Sequence, residues 1–431
     1  MVPRNPPKTW DELFLPERLC KYGVPFFSSW LTHGIEGGVF VNPAQAVHPI
    51  ARVALENLLC SSMTGCIEIT ESRTLALLGP TIGVPLHGHA RQNAQLIASH
   101  AAHCGHIDAN RDCQYSFYPS QPIYTLAANN YMQKNEDVLI LCINSLTDNL
   151  SEGHIGPGEV GEIASRIILL CAINKTAADM KAAKETPGNM IPIERVSFPD
   201  PVPVTKFLKT LPGLRAEELP LGPIHADHKR KLLDQGMMFW NHFMDRSARP
   251  TTEASLECLH RGVALQCRPK QEEFNQVLTI YLKDPSEDQL DESNVTFCGI
   301  QVDNRGNDSE LNISQENMNP EHAGEERNPY LSLYFALQST TPPTKKGRDP
   351  AEERKDSYEL PSSHEPPDDR QASLVFYKGL DLFHFLSQGV KNALKELINI
   401  RADLVLRHGK STLGQQYAQD FLLRAEARRL S

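Results

Sequence analysis

TEASLECLHRGVALQCRPKQEEFNQVLTIYLKDPSEDQLDESNVTFCGIQVDNR, residues 252–305, is the stretch on which the fold turns. It reads as one amphipathic helix over 253–261 and three short strands over 263–267, 277–282 and 297–304, because the apolar spacing changes from the helical to the extended period at Gly262. A fourth strand is expected over 330–338, and residues 373–376 offer another to the same sheet. The result is a mixed sheet with helices at its flanks.

Working outward, the 431 residues suffice for two or three domains with sizeable cores. Residues 1–48 carry Pro3, Pro6, Pro7, Pro16, Pro25 and Pro43 with glycines at 34, 37 and 38, which predicts an irregular proline-rich lead-in. Residues 49–185 form the expected helical domain, with helices over 50–59, 93–103, 123–132, 138–150 and 159–183. The last of these is apolar all round over 167–173, the mark of a central helix, and opens on Glu159 and Glu162, where negative charge suits the helix dipole. Residues 186–223 read as a proline-rich connector with a short helix near 204–211. Residues 224–431 then make an α+β domain: a helix over 228–245, the sheet, and long C-terminal helices over 380–408 and 412–429 that pack on it. The tract 339–372 is dominated by Pro, Ser and charge, so disorder is expected there. The fold class is therefore α+β, an N-terminal mainly helical domain followed by a C-terminal mixed-sheet domain.

Charge and composition narrow the function. Lys and Arg number 43 against 53 Asp and Glu, a net charge of −10, which argues for protein partners over nucleic acid. No apolar run approaches the roughly 18–20 residues that cross a bilayer, and the charged, proline-rich first residues lack the apolar core of a signal peptide. Ten cysteines without CxxC spacing, several inside apolar runs, fit reduced thiols. An intracellular protein, cytoplasmic or nuclear and not secreted, without membrane contact, is expected.

Two constellations suggest chemistry. His100, His103, Cys104 and His106 crowd a short stretch, and imidazoles three apart on the expected helix 93–103 can share a Zn²⁺. Their spacing matches no established zinc pattern, so surface or capping histidines are the preferred reading. The Gly409-Lys410-Ser411 run lacks the upstream glycine of a phosphate-binding loop and follows a helix, so it reads as a helix stop.

The second constellation lies in the opening stretch. A helix followed by three strands resembles the start of a restriction-endonuclease-like core of the PD-(D/E)xK type. Three segments, GHIGPGEVGEIASRIILLCA (153–172), RGVALQCRPKQEEFNQVLTIYL (261–282) and FCGIQVDNR (297–305), are similar to a family of uncharacterised proteins from basidiomycete fungi. In that family the last segment commonly reads IQVKNR and follows a strand with an aspartate. The resemblance implies a metal-ligating acid near the start of the second strand and an acid-x-lysine element on the third. Here those positions hold Asn275 or Gln276 and Gln301-Val302-Asp303. An amide brings no charge to a cation, and an aspartate cannot replace a lysine. Glu272, Glu273, Gln301 and Asp303 remain the weak catalytic candidates of a degenerate site. The expectation is a non-catalytic interaction or scaffold protein without cofactor, with a nuclease-like or nucleic-acid-binding domain as the alternative.

Overall fold

The computed structural model describes residues 6–63, 67–84, 86–87, 90–107, 113–151, 159–184, 196, 198–213, 221, 224–246, 251–267, 274–303, 328–338 and 372–399. The chain is α+β, with helices gathered in its first half and a mixed sheet in its second. The tract 339–371, the polar run 304–327 and the expected helix 412–429 lie outside the described residues.

The expected irregular lead-in is instead helical. After a 3-10 turn at Asp11–Phe14 come α1 (Pro16–Leu19), α2 (Pro25–Glu36) and α3 (Pro43–Leu59). Pro16, Pro25 and Pro43 each begin a helix, where the missing N–H has no intrahelical acceptor in any case. These prolines start elements rather than break them. Next come α4 (Glu71–Ile82), a two-residue strand β1 (Leu86–His87) and α5 (Ala90–Ser99). The helix expected over 93–103 stops at Ser99. Ala101 turns the backbone left-handed (φ 59°) and the chain continues as β2 (His103–Ile107), which pairs antiparallel with β3 (Cys113–Phe117).

Three long helices follow: α6 (Pro122–Lys134), α7 (Glu136–Ser151) and α8 (Val160–Lys184). As its all-round apolar run requires, α8 is central, with Ile163, Ile167, Ile168, Leu169 and Leu170 all buried. Strand β4 (Val202–Pro203) and α9 (Val204–Thr210) occupy part of the proline-rich connector, and Val204, Phe207, Leu208 and Leu211 pack into the same core.

The helix expected over 228–245 is divided. Helix α10 (Ala226–Gln235) ends at Gly236, and β5 (Gly236–Met238) and β6 (His242–Arg246) follow. The bulky run Met237–Phe243, interrupted by Asn241 and His242, carries neither period clearly, and pairing with neighbouring strands decides it. Helix α11 (Thr252–Arg261) is capped by Thr251, whose hydroxyl accepts from the Ala254 N–H, and ends at Gly262 in the left-handed region (φ 66°). Then come β7 (Val263–Cys267), β8 (Gln276–Leu282), β9 (Val295–Asp303), β10 (Tyr330–Ala336) and β11 (Ala372–Lys378).

The sheet runs β11-β10-β9-β8, and β8 then pairs with β7 at its start and with β5 at its end; β6 flanks β7 and β4 flanks β5. Strands β9, β10 and β11 are mutually parallel, β7–β8–β9 is an antiparallel meander, and β6 runs parallel to β7. One face of the sheet is covered by α11, through Cys258, Val263, Leu265, Val277 and Phe297. The other meets α8 and the amphipathic α12 (Gln388–Asn399), which follows a 3-10 turn at Leu380–Leu382 in place of one long helix from 380. A single apolar core reaches from Phe27 and Ile50 through α8 to Leu278, Ile300, Leu333 and Leu394. No helix among the described residues is long and apolar enough to cross a membrane.

Candidate functional site

The polar residues of the opening stretch converge on α8. Asn275 immediately precedes β8 and Gln276 opens it, and the β7–β8 register sets Gln276 opposite Gln266. All three reach Glu162 or its turn of helix. The Asn275 amide donates to Glu162 Oε1 at 2.7 Å and the Gln266 amide to Oε2 at 2.5 Å. The Gln276 amide donates to the Glu162 main-chain oxygen at 2.9 Å and to Ser165 Oγ at 2.6 Å. Asn275 Oδ1 in turn accepts the Val302 N–H of β9 at 2.8 Å. Helix α8 is thereby tied to β7, β8 and β9 through one carboxylate and three amides.

Burial raises the Glu162 pKa above the ordinary carboxylate range, while Arg166 and the Asn275 hydrogen bond oppose that shift. Arg166 lies one turn further along α8 and is 2% exposed. It donates to the carbonyls of Ile82 and, at 3.1 Å, of Gly83 at the end of α4. Burial lowers its pKa, and Asp245, Glu162 and Glu159 favour its charged form. The cluster sets a half-buried carboxyl group held by neutral amides beside a buried guanidinium held by helix-end carbonyls.

The weak catalytic candidates meet different fates. Gln301 is half-buried on β9, and Asp303 ends that strand in register with Ala336. Glu272 and Glu273 lie outside the described residues. Reading the sequence located Asn275, Gln276 and Gln301 but missed Gln266, Ser165 and the part played by Glu162. The last was visible only as a first-turn acid.

The zinc candidates are not brought onto one helical face. His100 is buried just beyond α5, with Nδ1 against the Leu58 carbonyl at 2.7 Å, whereas His103, Cys104 and His106 lie exposed along β2. Burial lowers the His100 pKa. Among the described residues, no three His, Cys, Asp or Glu side chains are grouped to hold a metal.

A second polar chain has no signal in the sequence. Ser120 Oγ lies 2.9 Å from His242 Nε2, and His242 Nδ1 lies 2.7 Å from Asn241 Oδ1. The Asn129 amide donates to the Asn241 carbonyl at 2.8 Å. Burial, with Arg261 as the second cause, lowers the His242 pKa to about 3, so the imidazole is neutral. With Nδ1–H donating to Asn241, Nε2 accepts the Ser120 hydroxyl proton. This is the order of a nucleophile, its base and the residue that orients the base. However, Ser120 is 7% and His242 1% exposed, which leaves an acyl substrate no approach. The chain fastens α6 to the sheet edge instead.

Residues 66–186 match the sequence profile of a domain of unknown function (DUF8736). The matched segment runs from just before α4 to the end of α8 and contains both Glu162 and Arg166, but none of the sheet strands β4–β11. No curated protein and no solved structure matches the chain.

Proposed function

We propose that this chain is a non-catalytic interaction protein whose sheet has the frame of a metal-dependent nuclease and a closed centre. The observation that carries the proposal is the Glu162 carboxylate, with an amide N–H on each oxygen. A Mg²⁺-dependent centre needs anionic oxygens directed at the ion. Here the position expected to hold the first acid is Asn275 or Gln276, and both point their donors toward α8. Asn275 also uses its oxygen on the β9 backbone. The α11–β7–β8–β9 order, with β10 parallel to β9, supports the nuclease-like frame. The net charge of −10 supports a protein partner over a nucleic acid, and an intracellular site of action, cytoplasmic or nuclear, accords with the cysteine usage.

The test is cleavage. Purified chain is incubated with plasmid DNA and with structured RNA in Mg²⁺ or Mn²⁺, beside Glu162→Ala and Asp303→Ala. No metal-dependent cleavage above background is expected from any of the three. Cleavage by the natural chain that either substitution abolishes would establish the nuclease reading in its place.

A further inference from the structure

We infer that a groove between α6 and α8 binds an extended peptide segment of a partner protein, holding its main chain with side-chain amides. The inference rests on the interaction-protein reading above and names the class of partner. The groove has two adjoining compartments, of about 250 and about 160 Å³, which share Asn129, Gln133 and Asn174. Asn130 and Asn241 join these three on the larger side, where Phe198 forms part of the wall. The smaller compartment is mainly apolar, lined by Met132, Leu139, Leu170, Phe385, Leu386 and Val390.

The chemistry selects the occupant. A primary amide offers one acceptor and two donors, the complement of a peptide unit's N–H and C=O. Asn129 and Gln133 stand one turn apart on α6, and Asn174 faces them from α8, so amides line both walls. Asn129 is 6% exposed, and its amide is already committed to the Asn241 carbonyl, yet its Oδ1 has no hydrogen-bond partner among the described residues. A buried acceptor left in that state carries an uncompensated desolvation penalty. A shift of the Asn129 side chain that opens Oδ1 to a peptide N–H would remove the penalty.

Length agrees with this. The lining positions on α8 run from Leu170 to Lys181, about 17 Å at 1.5 Å per residue. That matches about five residues of extended chain at about 3.3 Å each. The apolar compartment then takes one aliphatic or aromatic side chain of that segment. Glu136 and Lys175 line the smaller compartment and Asp200 and Lys181 the larger, so the lining has no net positive charge to draw an oligonucleotide, and the chain's net charge of −10 disfavours one.

The experiment pans a phage-displayed library of random dodecapeptides on the full chain and titrates an enriched synthetic peptide by calorimetry. Gln133 is exposed and Asn174 partly exposed, so Gln133→Ala and Asn174→Ala are expected to fold, which thermal melting verifies. Enriched peptides should share one apolar position. The double variant should weaken binding at least tenfold while Lys134→Ala leaves it unchanged, and N-methylation of the peptide's central amides should abolish it. Leu139→Lys, at a half-buried position lining the apolar compartment, supplies an independent arm without touching the amides. Panning that enriches nothing, peptides indifferent to these substitutions, or displacement of the peptide by a single-stranded oligonucleotide from the same groove would overturn the inference. If the groove fails while nucleic-acid cleavage is also absent, the non-catalytic reading stands and its partner binds elsewhere. Cleavage with a working groove would overturn that reading alone.

Discussion

Glu162 shows how a single carboxylate is made structural. With Asn275 and Gln266 each donating to it and Arg166 one turn away, removal of the side chain takes the acceptor from the half-buried Asn275 amide, while the buried Gln266 amide keeps only the Cys267 carbonyl. Glu162→Ala is expected to destabilise the fold by about 1–3 kcal/mol, read from urea denaturation at neutral pH. A loss below about 0.5 kcal/mol would show that water replaces the carboxylate freely. His242 makes the complementary case. Its folded pKa, about 3, lies below the ordinary 6.5, so between those values the unfolded chain binds the proton and the folded one does not. Stability therefore rises with pH through that window and is lost as pH falls, at up to about 1.4 kcal/mol per unit from this residue. His242→Gln, which keeps a polar group beside Ser120, should flatten the slope between pH 6.5 and 4. An unchanged slope would place the acid sensitivity in other groups.

At the scale of elements, turn chemistry and pattern conflicts decide where helices and strands begin. Gly262 closes α11 at φ 66°, and a Cβ there would also meet the Phe239 ring at 3.1 Å. Gly262→Ala is expected to cost about 1 kcal/mol in chemical denaturation; a neutral result would mean that the α11–β7 junction relaxes without cost. The opening stretch was legible in the sequence because α11, β7, β8 and β9 each obey one period and Gly262 marks the change. The run Met237–Phe243 was not, since its side chains are bulky on all sides and only the neighbours β8 and β7 supply the pairing that makes it β5 and β6. His100 and His103 were read as one helical face for want of any signal at Ala101. A non-glycine residue in the left-handed region is held there by tertiary context.

For the whole molecule, the helical half and the sheet share one core, from Phe27 to Leu394. Unfolding should be a single cooperative event. Trp10 sits against Tyr281, and Trp240 is buried in the main core, so tryptophan fluorescence reports on two regions. The fluorescence and far-ultraviolet circular dichroism transitions are expected to coincide in urea. Two separated transitions would show that the helices and the sheet fold as independent units.

The sequence by itself determined the fold class, the central place of α8 and the helix-to-strand change at Gly262. Each is a matter of local period, charge or residue type, which neighbouring positions declare. Only the tertiary structure decided that Glu162 meets Asn275 and Gln266, more than a hundred positions away, and that Ser120, His242 and Asn241 form one buried chain. It also decided that α6 and α8 leave an amide-lined groove between them. The physical reason is the same in each case. A side chain's partner across the core is fixed by the packing of α8 on the sheet, and no short-range pattern encodes that packing.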